Sequence, residues 1–301
     1  MTAGTAALTV AALLASCAER GATERGAHAG EADPDPDPDP DPDSDPDPDS
    51  DPQPEAASRW RVLAIEYARS DGVPERRLVR GAPADARVEM SWYYFVAIGR
   101  GRIVLVDVGT DALARPGRNE LRDRWSIAEA VTVEESLGRA GLTPADVTDV
   151  ILTHHHWDHV GALGLFPRAA VHAHDREWPR LPARLREPVQ SAGRLRAFRE
   201  TPHEPWPGLV VREAGRHTAH HVMVEIACVD RTIAIAGDAA YLYRNVEERL
   251  PVTVTVDATA NVADVARATD IVGAPNVVPG HDPALFDRHP SGTDRVAAIC
   301  R

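Results

Sequence analysis

Short apolar runs separated by polar turns predict β-strands along most of the chain after residue 57. The runs at 60–67, 88–98 and 102–107 are rich in β-branched and aromatic residues and follow one another closely. Closely spaced strands of this composition predict an antiparallel sheet that opens the domain. Further strand-like runs lie at 147–152, 222–229, 232–236 and 277–278.

Helical patterns alternate with these strands. The segment 132–140 carries apolar residues four positions apart on one face, and Gly141 follows it as a stop signal. A short helical turn is expected at Thr143-Pro144 and a longer helix at 262–268. The alternation of strand pairs and helices over 57–301 predicts an α/β domain with sheets in the middle and helices outside.

The segment 1–17 predicts an export signal. Residues 3–16 are small and apolar, a run too short to span a bilayer as a helix but suited to a secretory signal. It ends at Leu14-Ala15-Ser16-Cys17, which resembles the lipobox of bacterial lipoproteins. The resemblance implies export, lipidation of Cys17 and a lipid anchor at the bacterial cell envelope. No Lys or Arg precedes Arg20, unlike the positively charged start of such signals, and a cytoplasmic protein is the alternative.

An acidic, proline-rich linker is expected at 18–56. Asp-Pro repeats run from Asp33 to Pro52, where prolines remove backbone donors and aspartates repel one another, so the segment is predicted to be disordered. Its ten aspartates account for most of the net charge of −13 and leave about −3 for the rest of the chain. Because no basic stripe is present, nucleic acid is not an expected partner.

The chain has three cysteines, Cys17, Cys228 and Cys300. They are too few and too scattered to predict a disulfide framework or a cysteine-rich zinc site. Cys228 lies in the apolar run 224–229 and is interpreted as a small buried hydrophobic residue.

The densest group of metal-competent side chains follows the strand predicted at 147–152. The stretch Thr153-His154-His155-His156-Trp157-Asp158-His159 offers imidazole and carboxylate groups, which zinc accepts as ligands. The stretch is expected to form a loop at the carboxyl end of a buried strand. In an extended chain His154 and His156 project to the same side. Asp158 and His159 can then face a second ion nearby.

This spacing resembles the H-x-H-x-D-H motif of the metallo-β-lactamase superfamily. Three further elements follow in that family's order, Gly215-Arg216-His217-Thr218, Gly237-Asp238 and Gly280-His281. The resemblance covers 57–301 and implies an αββα sandwich, with two mixed β-sheets flanked by helices. It also implies one zinc ion bound by His154, His156 and His217, a second bound by Asp158, His159 and His281, and Asp238 bridging both.

The residue types present are suited to binding two such ions. Three protein ligands and an open position are typical of a catalytic zinc ion. A pair of cations about 3.5 to 4 Å apart can hold a shared hydroxide near neutral pH, so no side-chain nucleophile is needed. Iron, manganese and cobalt are alternatives to zinc, because histidine and carboxylate ligands discriminate weakly among these metals.

The remaining histidines are expected to be structural. The family often shows H-T-x-G-H where this chain has His217-Thr218-Ala219-His220-His221. His221 is therefore expected to lie behind the metal ligands and to hold them in place without binding metal itself. His220 stands at the glycine position, where glycine can serve a conformation that other residues reach only with strain. His155 is expected to support a ligand or to pack. Core or surface positions are expected for His172, His174, His203 and His289.

Local sequence narrows the substrate class. Asp238-Ala239-Ala240-Tyr241 resembles the D-A-x-Y of N-acyl homoserine lactone lactonases, which implies a tyrosine hydroxyl over the substrate carbonyl. Asp158 and Tyr241 are the expected catalytic side chains, and opening of a lactone by the metal-bridging hydroxide is the expected reaction.

A glyoxalase II-type thioesterase or general esterase is the alternative function, and a tethered binding protein without activity is the third. Pocket walls are expected from the loop 178–206, and the oligomeric state is left open.

Overall fold

The structure of the protein, a computed structural model, describes residues 59–117 and 119–301. The signal-like segment 1–17 with Cys17, and the linker expected at 18–56, lie outside the described residues. In the described part of the chain, no helix is both long enough and apolar enough to cross a membrane.

The described residues form two β-sheets, one of eight strands and one of five. With strands numbered along the chain, the order of neighbours across the larger sheet is 13-1-2-3-5-6-7. Strand 4 pairs with strand 1. The strands are β1 (Arg61–Pro74), β2 (Arg87–Gly99), β3 (Arg102–Val106), β4 (Ile127–Ala130), β5 (Asp149–Leu152), β6 (Ala170–His174), β7 (Leu195–Phe198), β8 (His203–Trp206), β9 (Leu209–Glu213), β10 (Val222–Ala227), β11 (Thr232–Gly237), β12 (Val277–Pro279) and β13 (Val296–Cys300).

Both sheets are mixed. In the larger sheet β13, β1, β2 and β3 are antiparallel neighbours, whereas β3, β5, β6 and β7 are parallel neighbours. The smaller sheet has the order β12-β11-β10-β9-β8, and only its β11–β12 pair is parallel. The carboxyl ends of β3 and β5 therefore lie side by side, as do those of β11 and β12.

Helices lie between the strands along the chain. Single 3-10 turns are present at Glu75–Arg77, Pro144–Asp146, Leu163–Leu165, Trp178–Arg180 and Ala274–Asn276. The α-helices are α1 (Glu120–Trp125), α2 (Val133–Arg139), α3 (Trp157–Val160), α4 (Ala183–Ser191), α5 (Tyr243–Glu247), α6 (Ala258–Val272) and α7 (Ala284–Arg288).

Alternating side chains place the core between the sheets and under the helices. On β3, Val104 and Val106 belong to the buried cluster that also contains Ile235 of the smaller sheet. Leu105 points to the opposite face, where it shares a cluster with Leu137 of α2. The outer face of the smaller sheet shares its own cluster with α6. The predicted α/β class and the αββα sandwich with two mixed sheets are confirmed.

Several predicted elements end at different residues. β1 continues to Pro74, well past 67, because residues 68–70 pair with β4 on one side and with β2 on the other. The helix predicted at 262–268 is α6, which begins at Ala258 because Asp257 caps it by accepting a hydrogen bond from the N–H of Ala260. The strand predicted at 222–229 ends at Ala227.

The interpretation of Cys228 as a small hydrophobic residue is wrong, because Cys228 and Cys300 form a disulfide with their Cα atoms 6.0 Å apart. Cys228 is indeed buried, directly after β10 of the smaller sheet. Cys300 ends β13 of the larger sheet. The disulfide therefore joins the two sheets covalently.

Candidate metal centre

The histidine-rich stretch lies where β5 ends, as expected from the sequence. Thr153, His154 and His155 follow the fully buried strand in irregular backbone. The stretch does not remain a loop, because α3 begins at Trp157 with His156 as its N-cap. Asp158 and His159 consequently lie on one helical turn.

Three more predicted ligands come from loops of the smaller sheet. His217 lies in the connection between β9 and β10, Asp238 directly follows β11, and His281 follows β12 after Gly280. A Cβ atom at Gly280 would lie 2.8 Å from the carbonyl carbon and oxygen of Gly237. The lack of a side chain at Gly280 therefore allows the two backbones to approach closely enough for Asp238 and His281 to converge.

The structure brings all seven predicted ligands together in two groups that share Asp238. His154, His156, His217 and Asp238 form one group, and Asp158, His159, His281 and Asp238 form the other. Within each group the ligand atoms all lie within 4.8 Å of one another. Such groups of imidazole and carboxylate could each hold a divalent metal ion.

The two carboxylate oxygens of Asp238 face different groups. Oδ2 lies 3.3 Å from Nε2 of His217 and 3.7 Å from Nε2 of His154. Oδ1 lies 3.1 Å from Nε2 of His159 and 3.1 Å from Nε2 of His281. This is the arrangement needed to bridge two cations.

Hydrogen bonds on the far side of four imidazole rings leave their Nε2 atoms facing the centre. Nδ1 of His217 donates to the carbonyl of Val254 at 2.7 Å, and Nδ1 of His281 donates to the carbonyl of Ser91 at 2.9 Å. Nδ1 of His154 faces Thr153 Oγ1, and that of His159 faces a carboxylate. A neutral ring that donates through Nδ1 carries a lone pair on Nε2, which is the form that binds metal.

Several of these inward atoms are buried without a hydrogen-bond partner in the described residues, namely Nε2 of His154, His159 and His281 and Oδ1 of Asp238. His156 differs by presenting Nδ1, which lies 2.8 Å from Nε2 of His217. Convergent buried acceptors without partners are costly unless a cation compensates them. The residues present therefore fit a pair of metal ions.

Burial and nearby charges act in opposite directions on the groups of the centre, and their balance sets each protonation state. Burial lowers the pKa of His217 to about 3 and also lowers the pKa of His154 and His156, so these rings are neutral at physiological pH. His159 is the exception, because attraction to Asp238, Asp158 and Asp107 outweighs burial and raises its pKa. Burial opposes the ionised form of Asp238, but nearby histidines hold its pKa well below the usual range.

Asp107 supports the centre from β3 and was not among the predicted site residues. It directly follows β3 with a left-handed φ of 62°, beside the end of the parallel strand β5. Its carboxylate accepts hydrogen bonds from the N–H and the hydroxyl of Thr153 at 2.8 and 2.7 Å. It also accepts from Nδ1 of His159 at 2.7 Å. The only sequence signal was a carboxylate at the end of a predicted strand.

Glu177 is the second supporting residue that the sequence did not reveal. Its buried carboxylate contacts Nδ1 of His155 and accepts hydrogen bonds from the Thr218 hydroxyl at 2.8 Å and the His220 N–H at 3.1 Å. It therefore links the first histidine loop to the loop that carries His217. The packed position expected for His155 agrees with this contact.

The turn at His220 forms without a left-handed residue at that position. Positive φ angles occur instead at Gly215 and Arg216. His220 stacks on His174, with ring centroids 4.9 Å apart, and both rings contact Glu213. Because the Arg176 N–H donates to Nδ1 of His174, Nε2 of that ring carries the proton donated to Glu213. These contacts make a hydrogen-bonded cluster that is satisfied without an added ion.

His221 packs behind the centre and lies outside both ligand groups. Its Nδ1 donates to the carbonyl of Ala214 at 2.8 Å, and its ring centroid lies 5.3 Å from that of His154. Its own Nε2 is buried without a partner in the described residues. His221 therefore limits the movement of the His154 ring by packing.

Tyr241 lies at the edge of the centre, three residues after Asp238. Its side chain is 6% exposed, and its hydroxyl lies 3.4 Å from Nδ1 of His217. Burial raises the pKa of the phenol well above its ordinary value. Tyr241 therefore stays protonated and can donate a hydrogen bond.

Comparison with solved structures finds the same fold at low sequence identity. A variant of AiiA from B. thuringiensis with N-decanoyl-L-homoserine bound at its active site has a TM-score of 0.64 and 19% identity, covering 76% of this chain and 96% of its own. An N-acyl homoserine lactone hydrolase with the product N-hexanoyl-L-homoserine at its catalytic metal center has a TM-score of 0.63 and 18% identity, covering 76% and 96%. A probable metal-dependent hydrolase from Staphylococcus aureus has a TM-score of 0.61 and 14% identity, covering 81% and 98%.

Sequence comparisons identify the family. A segment of 37 residues is 57% identical to Metallo-beta-lactamase domain-containing protein 1 of Rattus norvegicus, a match that covers 12% of this chain and only 15% of the rat protein. The Lactamase_B family, described as the metallo-beta-lactamase superfamily, matches residues 86–289. Because this match spans more than half of the chain and coincides with the αββα fold and the His/Asp cluster, the chain belongs to the metallo-beta-lactamase superfamily.

Proposed function

We propose that the protein is a dinuclear metal-dependent hydrolase that opens a lactone ring, with N-acyl homoserine lactones as the substrate class. The observation that carries the proposal is Asp238, whose two oxygens each face a separate group of ligand atoms. A carboxylate between two groups of three further ligands is suited to a pair of ions that act together on one substrate bond.

One ion is proposed to bind His154, His156 and His217, and the other Asp158, His159 and His281, with Asp238 shared. Zinc is the proposed metal, although this ligand set also accepts iron, manganese and cobalt. When bound, such a pair supplies a nucleophile from water near neutral pH and Lewis acidity toward the reacting carbonyl.

The chain's own residues supply orientation and proton handling. The protonated Tyr241 hydroxyl is placed to donate a hydrogen bond to the lactone carbonyl oxygen as negative charge develops there. Histidine neighbours lower the pKa of Asp158 against the effect of burial, so it is ionised. It can accept the proton lost by the attacking water and pass it to the ring oxygen that departs. The products are the carboxylate and hydroxyl groups of one ring-opened hydroxy acid.

The lactone substrate is supported by relatives of the same fold. Two of the structurally similar proteins described above hold ring-opened N-acyl homoserines, one at its active site and one at its catalytic metal center. The tyrosine three residues after the bridging aspartate adds a local observation, because it provides a neutral donor beside the centre.

The proposal is tested with purified full-length protein, elemental analysis and a panel of N-acyl homoserine lactones, thioesters and β-lactams. We expect two metal ions per chain and turnover of the lactones. Asp238→Asn should reduce turnover by orders of magnitude, whereas the exposed Asp270→Asn on α6 should leave it unchanged. Metal-loaded protein that opens no lactone but hydrolyses thioesters would overturn the lactone assignment. Lactone turnover unaffected by Asp238→Asn would overturn the bridging role of Asp238 and the dinuclear mechanism that depends on it.

We also propose that the protein is exported and lipid-anchored through Cys17 at the bacterial cell envelope. The disulfide between Cys228 and Cys300 supports export, because disulfides persist mainly in oxidising compartments. Labelling with a fatty-acid analogue should modify the parent and not Cys17→Ser. Recovery of unlabelled, thiol-reduced parent protein from the cytoplasm would contradict this localisation.

A further inference from the structure

A cavity of about 530 Å³ opens beside the candidate metal centre. Half-buried His156 and Trp157 form its wall on the side of the centre. The far wall comes from α4 and the residues just before it. A substrate whose reacting bond lies at the centre can therefore extend its remaining atoms into this cavity.

The middle of the cavity is apolar. The lining includes Leu121 of α1, Val160 of α3, Leu165 and Leu185, together with the Trp157 indole. The four leucine and valine side chains offer no hydrogen bonds, so this part of the cavity suits an aliphatic chain. Trp206, at the end of the predicted pocket loop, packs against Trp60 instead, with ring centroids 6.1 Å apart.

Three arginines, Arg115, Arg180 and Arg184, line the same cavity, and each is exposed. Among the described residues, none of the three side chains forms a hydrogen bond or an ion pair. Several other arginines of the domain are paired, as Arg102 is with Asp149 at 2.9 Å. The single acidic residue in the lining, Asp111, accepts a hydrogen bond from the N–H of Val133 at 2.8 Å. The cavity therefore carries excess positive charge.

We infer that the acyl chain of the substrate ends in a carboxylate, which Arg115, Arg180 and Arg184 bind while the chain lies along the apolar wall. This inference rests on the proposed hydrolase function and specifies its substrate further. Guanidinium groups bind carboxylates through paired, charge-assisted hydrogen bonds. A neutral chain of the same length fills the apolar wall equally well but gains nothing from the three cations.

The test compares two lactones that differ only at the end of the acyl chain, N-hexanoyl- and N-(5-carboxypentanoyl)-L-homoserine lactone. We expect kcat/KM of the parent to be at least about 10-fold higher for the carboxylated lactone, mainly through a lower KM. The preference should weaken as salt is added. The double variant Arg180→Ala, Arg184→Ala should lose the preference and keep its turnover of the hexanoyl lactone. Arg61→Ala, an exposed arginine on β1 that does not line the cavity, should keep both.

Calorimetric binding of the two ring-opened products to metal-loaded protein separates this inference from the proposed reaction. Tighter binding of the carboxylated product that depends on Arg180 and Arg184 supports the inference even if neither lactone is opened, in which case only the lactonase assignment falls. Equal binding of the two products, or no binding of either, overturns the inference. If both lactones are then opened at equal rates, the proposed hydrolase stands with a neutral acyl pocket.

Discussion

The Asp107 carboxylate accepts a hydrogen bond from Nδ1 of His159, with 2.7 Å between the two atoms. The same carboxylate accepts two hydrogen bonds from Thr153, whose hydroxyl in turn contacts Nδ1 of His154 at 3.0 Å. One side chain after β3 thus orients one ring from each ligand group.

Asp107→Asn is expected to lower metal affinity and hydrolytic rate by about 10- to 100-fold, because it removes the charge that orients His159. Asparagine tolerates the left-handed backbone found at this position, so the fold should persist. Metal titration and lactone kinetics measure the effect. The exposed Asp85→Asn should match the parent, and an Asp107→Asn protein with unchanged metal affinity would show that the hydrogen bond has no such role.

Tyr241→Phe should lower kcat by roughly 100-fold at unchanged metal content, because the developing oxyanion loses one hydrogen-bond donor. Tyr243→Phe is a matched control two residues away, since the buried Tyr243 hydroxyl has no hydrogen-bond partner among the described residues. Elemental analysis and steady-state kinetics on both variants provide the comparison. An equal loss of kcat in the two variants would contradict hydrogen-bond donation by Tyr241 and would indicate an effect of side-chain packing.

Glu177 should make a pH-dependent contribution to stability. Hydrogen bonds from His155 and Thr218 outweigh burial and lower the pKa of this carboxyl to about 2. A pKa below the unfolded value near 4.3 means that the stabilisation is fully present above about pH 4 and is lost as pH falls toward 2. The shift corresponds to about 3 kcal/mol.

Glu177→Gln should therefore lower the free energy of unfolding at pH 7, and its difference from the parent should shrink below about pH 4. Urea unfolding with chelator present excludes the separate effect of pH on metal binding. Glu187→Gln, on the exposed side of α4, should have no effect. A difference in the free energy of unfolding between variant and parent that is constant with pH would contradict the lowered pKa of Glu177.

The disulfide should stabilise the sandwich without taking part in the reaction. Cys228 and Cys300 are separated by 72 residues, so reduction frees a long loop in the unfolded chain. Replacing both with alanine should cost about 2 to 4 kcal/mol, or roughly 5 to 15 °C in Tm. Calorimetry on this double variant and on Cys17→Ser checks the prediction. Cys228 lies at the end of β10 remote from His221, so kcat of the double variant at 25 °C should be retained.

The ligand histidines could be predicted because their signal is local. Four of the seven predicted ligands lie within 154–159, and each of the other three follows a glycine by one or two residues. Asp107 and Glu177 act across 46 and 41 residues on Thr153 and Thr218, and no spacing pattern marks such distant partners. Asp107 carries one local signal, because it is the carboxylate at the end of the strand predicted at 102–107. Nothing comparable marks Glu177, which precedes a single 3-10 turn.

Two of the strands that the hydrophobic pattern did not predict are short edge strands. β7 ends the larger sheet and β8 ends the smaller one. Each has four residues, with arginine in β7 and glutamate and proline in β8. Short, polar edge strands protect sheets from pairing with other chains, so they lack the apolar run by which buried strands are identified. The disulfide was missed because 72 residues separate its cysteines.

The proposed ligands are divided between the two sheets. His154, His156, Asp158 and His159 follow a strand of the larger sheet, whereas His217, Asp238 and His281 follow or connect strands of the smaller one. Ions bound by both sets would hold the two sheets in a fixed relative position. Occupancy of the two metal sites and the relative orientation of the sheets would therefore be thermodynamically coupled. Removing metal would then weaken the packing between the two sheets. Any change that displaces one sheet relative to the other would lower the affinity for both ions.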